Sequence, residues 1–181
     1  MRKALELLQK YYPSEHPAHA VLLEHSHLVA AKAKTIASKF YQRVDVRFVE
    51  EAALLHDIGI FETYAPALAC YGSSHYLCHG IIGRRILENE GWPKHALVCE
   101  RHIGVGLTVS DIEAQDLPLP LRDMRPQTLE EQIVAYADLF FSKSKGTGAS
   151  ERSPEKVRAG LCRFGQGKGK IFDTWHALFK A

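Results

Sequence analysis

Residues 52–61 read AALLHDIGIF. An apolar helical run ends there in two strong metal-binding side chains, His56 and Asp57, with Gly59 just beyond. An unpaired carboxylate is costly to bring into a core, so an aspartate at that point implies a cation or a dense set of donors. Just upstream, Val49, Ala52, Ala53 and His56 fall on one face of a helix that Asp45 is suited to cap, with Gly59 as its stop. If an ion is held there, the remaining ligands must come from elsewhere in the chain.

Outward from this stretch the pattern is helical almost throughout. A short amphipathic segment at 2–12 ends at Pro13, and Pro17 opens an alanine-rich helix to about Tyr41. Ser73 and Ser74 start another, which runs through His79 to Glu90 and closes at Gly91. Pro93 suits the first turn of the next, which breaks near Gly104. Pro118, Pro120 and Pro126 make 104–127 a loop with one short helix after Ser110. Thr128 and Glu131 form a capping box before LEEQIVAYADLFFSK, and a Gly/Ser-rich loop follows at 146–153. Ser153-Pro154 begins the last helical region, in which GQGKGK reads as a flexible turn before IFDTWHALF. No run alternates strictly with a period of two, so the expectation is a single all-α bundle.

Composition narrows the function. The chain has 181 residues, 46% apolar and 24% charged, which suits one globular domain. A net charge of +2 lacks the basic bias of a partner for nucleic-acid polymers. Cys70, Cys78, Cys99 and Cys162 show no CxxC spacing, and the N-terminal MRKALELLQKYYPSEHP has no apolar signal core. Reduced thiols and a cytoplasmic location are therefore expected. The longest uncharged stretch, 63–83, contains Pro66 and Gly72, which makes it a poor membrane span.

Ten histidines are the unusual count. His25 lies in the stripe Leu22, Val29, Ile36, whereas His27 sits about 200° around the helix, on the solvent side. His79 leads the stripe Ile82, Gly83, Ile86, and the small Gly80 and Gly83 would let a neighbouring backbone approach. His102 follows Val98 by four, and Asp138 follows Val134 by four. One such residue is ordinarily a core polar group. Four histidines and two aspartates on the inward faces of five helices point instead to metal. Nitrogen and oxygen donors without thiolate suit iron, manganese, zinc, nickel or cobalt, and six ligands exceed the needs of one tetrahedral ion. A two-metal centre bridged by a carboxylate is the natural reading.

The strings EHSHLVA, LLHDIG, HGIIGRRIL, ERHIGVGLT and TLEEQIVAYADLFFSK, in that order, resemble the HDIG branch of the HD superfamily, and the likeness covers roughly 17–180. The resemblance implies an HD-type helical bundle with the metal centre inside it, over residues 17–181, and a helical extension at 1–16. It implies that His25, His56, Asp57 and Asp138 hold one divalent ion. Asp57 would bridge to a second, completed by His79 and His102; magnesium joins the list of candidate ions. Family members with known activity are mostly metal-dependent phosphohydrolases acting on nucleotides or other small phosphorylated substrates. A minority are di-iron oxygenases such as inositol oxygenase. Many relatives carry lysine after HDIG, where this chain has Ile60, which weakens an oxygenase reading. A non-catalytic, metal-stabilised ligand-binding module is the third possibility.

Phosphate also needs cationic partners. Lys143, five after Asp138, is the first choice, followed by Arg101, Lys145 and Arg84. His75, four before His79, is a candidate proton donor or partner to a ligand. The segment 143–170 holds eight Lys/Arg against two acids, a bias able to steer an anion. His16, His19, His95 and His176 are read as surface or packing residues.

Overall fold

The 21-residue stretch from His19 to Lys39 contains no glycine or proline, and it forms the longest helix. In a computed structural model of the protein, residues 2–143 and 150–180 are described. The helices are α1 (Arg2–Tyr11), α2 (His19–Lys39), α3 (Val46–Leu55), α4 (His79–Asn89), α5 (Pro93–Arg101), α6 (Val109–Ala114), α7 (Leu129–Asp138), α8 (Pro154–Cys162) and α9 (Gln166–Phe179). Caps fix several starts. The Asp45 carboxylate accepts from the Phe48 N–H at 3.0 Å, and the Thr128 and Ser153 hydroxyls accept from Glu131 and Lys156. The fold is all-α.

Helix α2 packs along α3 and α7, and α4 packs along α5, which in turn rests on α3 and α7. Leu22, Val29, Ala33, Val49, Ala53, Ile133 and Val134 are at most 1% exposed and form the middle of the core. Helix α1 lies on α3 and on the 3-10 turn Ile58–Glu62, burying Leu7, Leu8 and Tyr12. No described helix is long and apolar enough to cross a membrane. All four cysteines are free thiols.

Several local expectations need correction. The chain before His79 is a two-stranded hairpin, β1 (Tyr64–Ala65) with β2 (Cys70–Tyr71), turned through a left-handed Ala69 at φ 55°. It uses the backbone groups of Ser74, so no helix starts at Ser73 or Ser74. Gly59 is not a helix stop. It lies inside the 3-10 turn, and a Cβ there would overlap the His79 carbonyl and the Gly83 backbone. GQGKGK is the first turn of α9. The corner is made by Gly165 at φ 125°, and burial of Phe172, Trp175 and Phe179 favours the helix despite its glycines. Helix α7 ends at Asp138, not Lys143. Its backbone tightens to three-residue bonds at Phe140 and Phe141, of 3.3 and 3.1 Å, and the chain then folds back. Lys145 and residues 146–149 of the Gly/Ser-rich 146–153 lie outside the described residues.

Candidate metal centre

Three histidines stand at helix ends and are oriented in the same way. The Nδ1 of His56, His79 and His102 lies 2.7, 2.6 and 2.7 Å from the carbonyl three residues earlier, that of Ala53, Tyr76 and Cys99. A carbonyl can only accept, so each Nδ1 carries a proton, which leaves Nε2 as the nitrogen available to an ion. The three Nε2 atoms face inward, joined by Nε2 of His25 from the middle of α2. A metal-binding imidazole requires this arrangement.

The donor atoms form two groups that share one residue: His25, His56, Asp57 and Asp138, then Asp57, His79 and His102. In the first, His25 Nε2 lies 3.3 Å from His56 Nε2, 3.3 Å from Asp57 Oδ2 and 3.0 Å from Asp138 Oδ1. His56 Nε2 lies 3.1 and 3.4 Å from the same two oxygens. In the second, His79 and His102 are 3.1 Å apart at Nε2, and each is 3.5 Å from Asp57 Oδ1. Thus Oδ2 of Asp57 belongs to one group and Oδ1 to the other.

These residues fit divalent ions. Ligands at zinc-like bond lengths stand about 3.0–3.4 Å from one another in octahedral or tetrahedral arrangements, close to the spacings seen. Both Asp57 oxygens and Asp138 Oδ1 are buried without a hydrogen-bond partner among the described residues, although Asp57 is only 2% exposed. Lys143 meets Asp57 Oδ2 at 2.9 Å, but Asp57 Oδ1 faces the imidazoles of His79 and His102 at 3.5 Å. A buried carboxylate oxygen so placed is rare unless something positive meets it. Burial, reinforced by His102, lowers the pKa of His79 to about 3, which keeps it neutral. Burial acts the same way on His56, but Asp57 and Asp138 outweigh it and raise its pKa to about 10. Burial opposes ionisation of Asp57 and Asp138 too, yet His56, Lys143 and His25 hold both carboxyls well below the usual carboxylate range.

The HD domain family matches residues 22–141, a span that contains all six donors. The chain belongs to the HD-domain family. An uncharacterized protein of Methanocaldococcus jannaschii is 39% identical over 137 residues, covering 75% of this HD protein and 72% of that one. Two tRNA (cytidine(56)-2'-O)-methyltransferases, of Thermoplasma volcanium and Picrophilus torridus, are 34% and 32% identical over 78% and 76% of this chain. The match spans only 36% and 39% of those enzymes, so little more than a third of each is shared. The HD domain of the L. monocytogenes phosphodiesterase PgpH superposes with a TM-score of 0.54 at 20% identity, covering 96% of this chain and 97% of that one. The same domain in complex with cyclic-di-AMP gives 0.55, with 96% of both chains covered. At that identity the likeness establishes the fold.

Around this HD centre the structure sorts the remaining candidates. Lys143 reaches it: Nζ lies 2.9 Å from Asp57 Oδ2 and 3.8 Å from Asp138 Oδ1. Burial disfavours its charge, but the two carboxylates more than compensate and hold the ammonium protonated. Lys143 and Asp138 open onto a cleft of about 460 Å³, with Tyr76 and Arg152 also on its wall. Arg101 is committed elsewhere: its Nη1 bonds both oxygens of buried Glu131, at 2.9 and 3.2 Å. Arg84 is held by Glu88 and Glu100. His75 does not share a helical face with His79, because α4 begins only at His79. It is exposed, and its Nδ1 accepts from the Leu77 N–H at 3.2 Å, capping the 3-10 turn Tyr76–Cys78.

Two residues went unnoticed in the sequence. Tyr76 supplies the carbonyl for His79 and lays its ring 4.8 Å from the imidazole, and its place three before a ligand was the available signal. Tyr12, at the end of α1, accepts from the Phe61 N–H at 3.0 Å and lies 3.1 Å from the Ile58 carbonyl, clasping the turn after Asp57. Nothing local in the sequence announces that contact.

Proposed function

We propose that this HD domain is a metal-dependent phosphohydrolase, cleaving a phosphate ester or anhydride. The observation that carries the reading is the division of Asp57: each oxygen serves a different set of imidazoles, as a bridging carboxylate would. When bound, two divalent ions would supply an acidified water and offset the charge that develops on a phosphoryl group. His25, His56, Asp57 and Asp138 would hold one ion, and Asp57, His79 and His102 the other.

The chain's own residues do the rest. Three carbonyls fix the imidazole rings, so no reorientation is needed when charge appears. Lys143, 15% exposed on the cleft side, offers an ammonium to a phosphoryl oxygen arriving beside Asp57 and Asp138. Its charge also favours anionic substrates over neutral ones. The fold neighbour is named a phosphodiesterase and is solved with cyclic-di-AMP, which supports phosphate-ester chemistry for this site as well.

The test is elemental analysis of freshly purified protein, followed by a panel of phosphate esters and nucleotides with manganese, nickel or cobalt. Metal-stimulated release of phosphate is expected, falling at least about 100-fold in Asp57→Asn. Oxygen uptake by an iron-loaded protein that releases no phosphate from the panel would overturn the proposal.

A further inference from the structure

A second cavity, of about 490 Å³, lies beside the metal-facing cleft and shares Leu139 and Arg152 with it. That volume is within the range of about 300–1,000 Å³ typical of small-molecule sites. Its position is fixed by the ligands themselves. Leu139 directly follows Asp138, Ile103 directly follows His102, and Leu77 precedes His79 by two. The opposite wall is the apolar face of α8, where Val157 and Leu161 are buried, continued by Phe164 in the turn after the helix, 65% exposed. Lys168, bonded to Asp111 and to the Gly106 carbonyl at 2.5 and 2.8 Å, holds the 104–107 segment in place as the third side.

Apart from Lys168, the cations at this cavity are uncommitted. Arg152, Lys156 and Arg163 line it, and none of the three side chains has a partner among the described residues. Arg152 is the one that faces both cavities, and its backbone N–H is anchored to the Phe140 carbonyl at 2.8 Å. An apolar pocket with a free aromatic ring and a cationic rim, opening beside a phosphoryl site, is matched to an anion with a ring system attached.

We propose that this cavity is the leaving-group subsite of the centre, taking the ring-bearing part of a phosphate ester of roughly nucleoside size, with Arg152 positioned at the junction to meet the phosphate. The assignment rests on the phosphohydrolase reading. Gly160 offers a clean probe: it lines the cavity from α8, and a Cβ added to it meets nothing within 4 Å. Gly160→Phe should therefore fill the pocket without touching the metal centre.

Three substrates separate the parts: acetyl phosphate, which has no ring, 1-naphthyl phosphate and adenosine 5'-monophosphate. With metal bound, Gly160→Phe is expected to lower kcat/KM for the two ring-bearing esters at least tenfold, mainly through KM, and to leave acetyl phosphate within twofold. Phe164→Ala should move the same ratio, and it keeps the test open if Gly160→Phe does not fold. A separate readout is saturable quenching of 1-naphthyl phosphate fluorescence by chelator-treated protein, lost in Gly160→Phe. Hydrolysis by wild type with an unchanged ratio in folded variants and no quenching would overturn the subsite while leaving the phosphohydrolase standing. Quenching that Gly160→Phe abolishes, with no substrate hydrolysed by wild type, would keep the ring site and remove the phosphohydrolase.

Discussion

Asp57 concentrates the chemistry of the centre, because its two oxygens are claimed by different partners, Oδ2 by His25, His56 and Lys143 and Oδ1 by His79 and His102. Replacing it with asparagine keeps the shape but removes the charge and one of the two acceptor oxygens. Both ions should then bind more weakly, and metal per chain measured by elemental analysis should fall below half of the wild-type value. Full retention of metal by Asp57→Asn would disprove the bridging role. A second residue-scale expectation concerns His95, whose ring lies 4.8 Å from Phe48 and 4.6 Å from Trp92. Burial pulls its pKa from 6.5 down to about 4, against the weaker opposing pull of Glu51. The unfolded chain thus binds a proton that the folded chain refuses. Stability is whole above about pH 6.5 and is lost as the pH falls toward 4. His95→Phe should flatten this part of the profile, read as the difference in urea midpoint between pH 7 and pH 5.

At the scale of elements, α4 approaches the 3-10 turn and α5 only because glycines face it. A Cβ on Gly83 would overlap the Cys99 sulfur, and one on Gly80 would lie 2.9 Å from the Cys99 carbonyl. The Cys99 thiol in turn donates to the His56 carbonyl at 2.8 Å, so the seam bears directly on the ligands. Gly83→Ala should destabilise the protein by about 1–3 kcal/mol and reduce metal occupancy, whereas Gly160→Ala, facing open space, should be neutral or mildly stabilising. Equal urea midpoints for the two variants would contradict this account. The sequence made that seam visible, since HGIIG sets two small residues, Gly80 and Gly83, beside His79, with Gly83 on its stripe. Asp45, Thr128 and Ser153 were equally legible, because a cap is a local bond between neighbours in the chain. The hairpin at 64–71 was not: it is held by backbone pairing and one left-handed alanine, neither of which has a side-chain signature. The end of α7 was missed for a related reason. Helix-favouring residues run on to Lys143, and only the tertiary fold decides that the chain bends back toward Asp57. His75 was misplaced along with the helix that was expected to carry it.

For the whole molecule, the metal centre and the fold are one problem. Six donors come from five parts of the chain, between His25 and Asp138; five are buried, and Asp138 is partly exposed at the cleft. The two carboxylates face each other across His25 and His56, with Lys143 as the nearest fixed cation. In the unfolded chain the donors are too far apart to grip an ion together, so metal stabilises the native state by its own binding free energy. At a free concentration 1,000 times the dissociation constant this amounts to about 4 kcal/mol. For a chain of this size that corresponds to roughly 8–16 °C in Tm. Chelation should therefore lower Tm by an interval of that order, and adding back manganese or nickel should restore it. Asp57→Asn should show a much smaller interval, because the residue common to both groups has been weakened. Lys143→Met separates structure from catalysis. It removes the ammonium without removing a ligand, so the metal-dependent interval in Tm should persist while phosphate release falls. Should wild type melt at the same temperature with and without metal, the six groups would not be acting as a metal centre, whatever their distances.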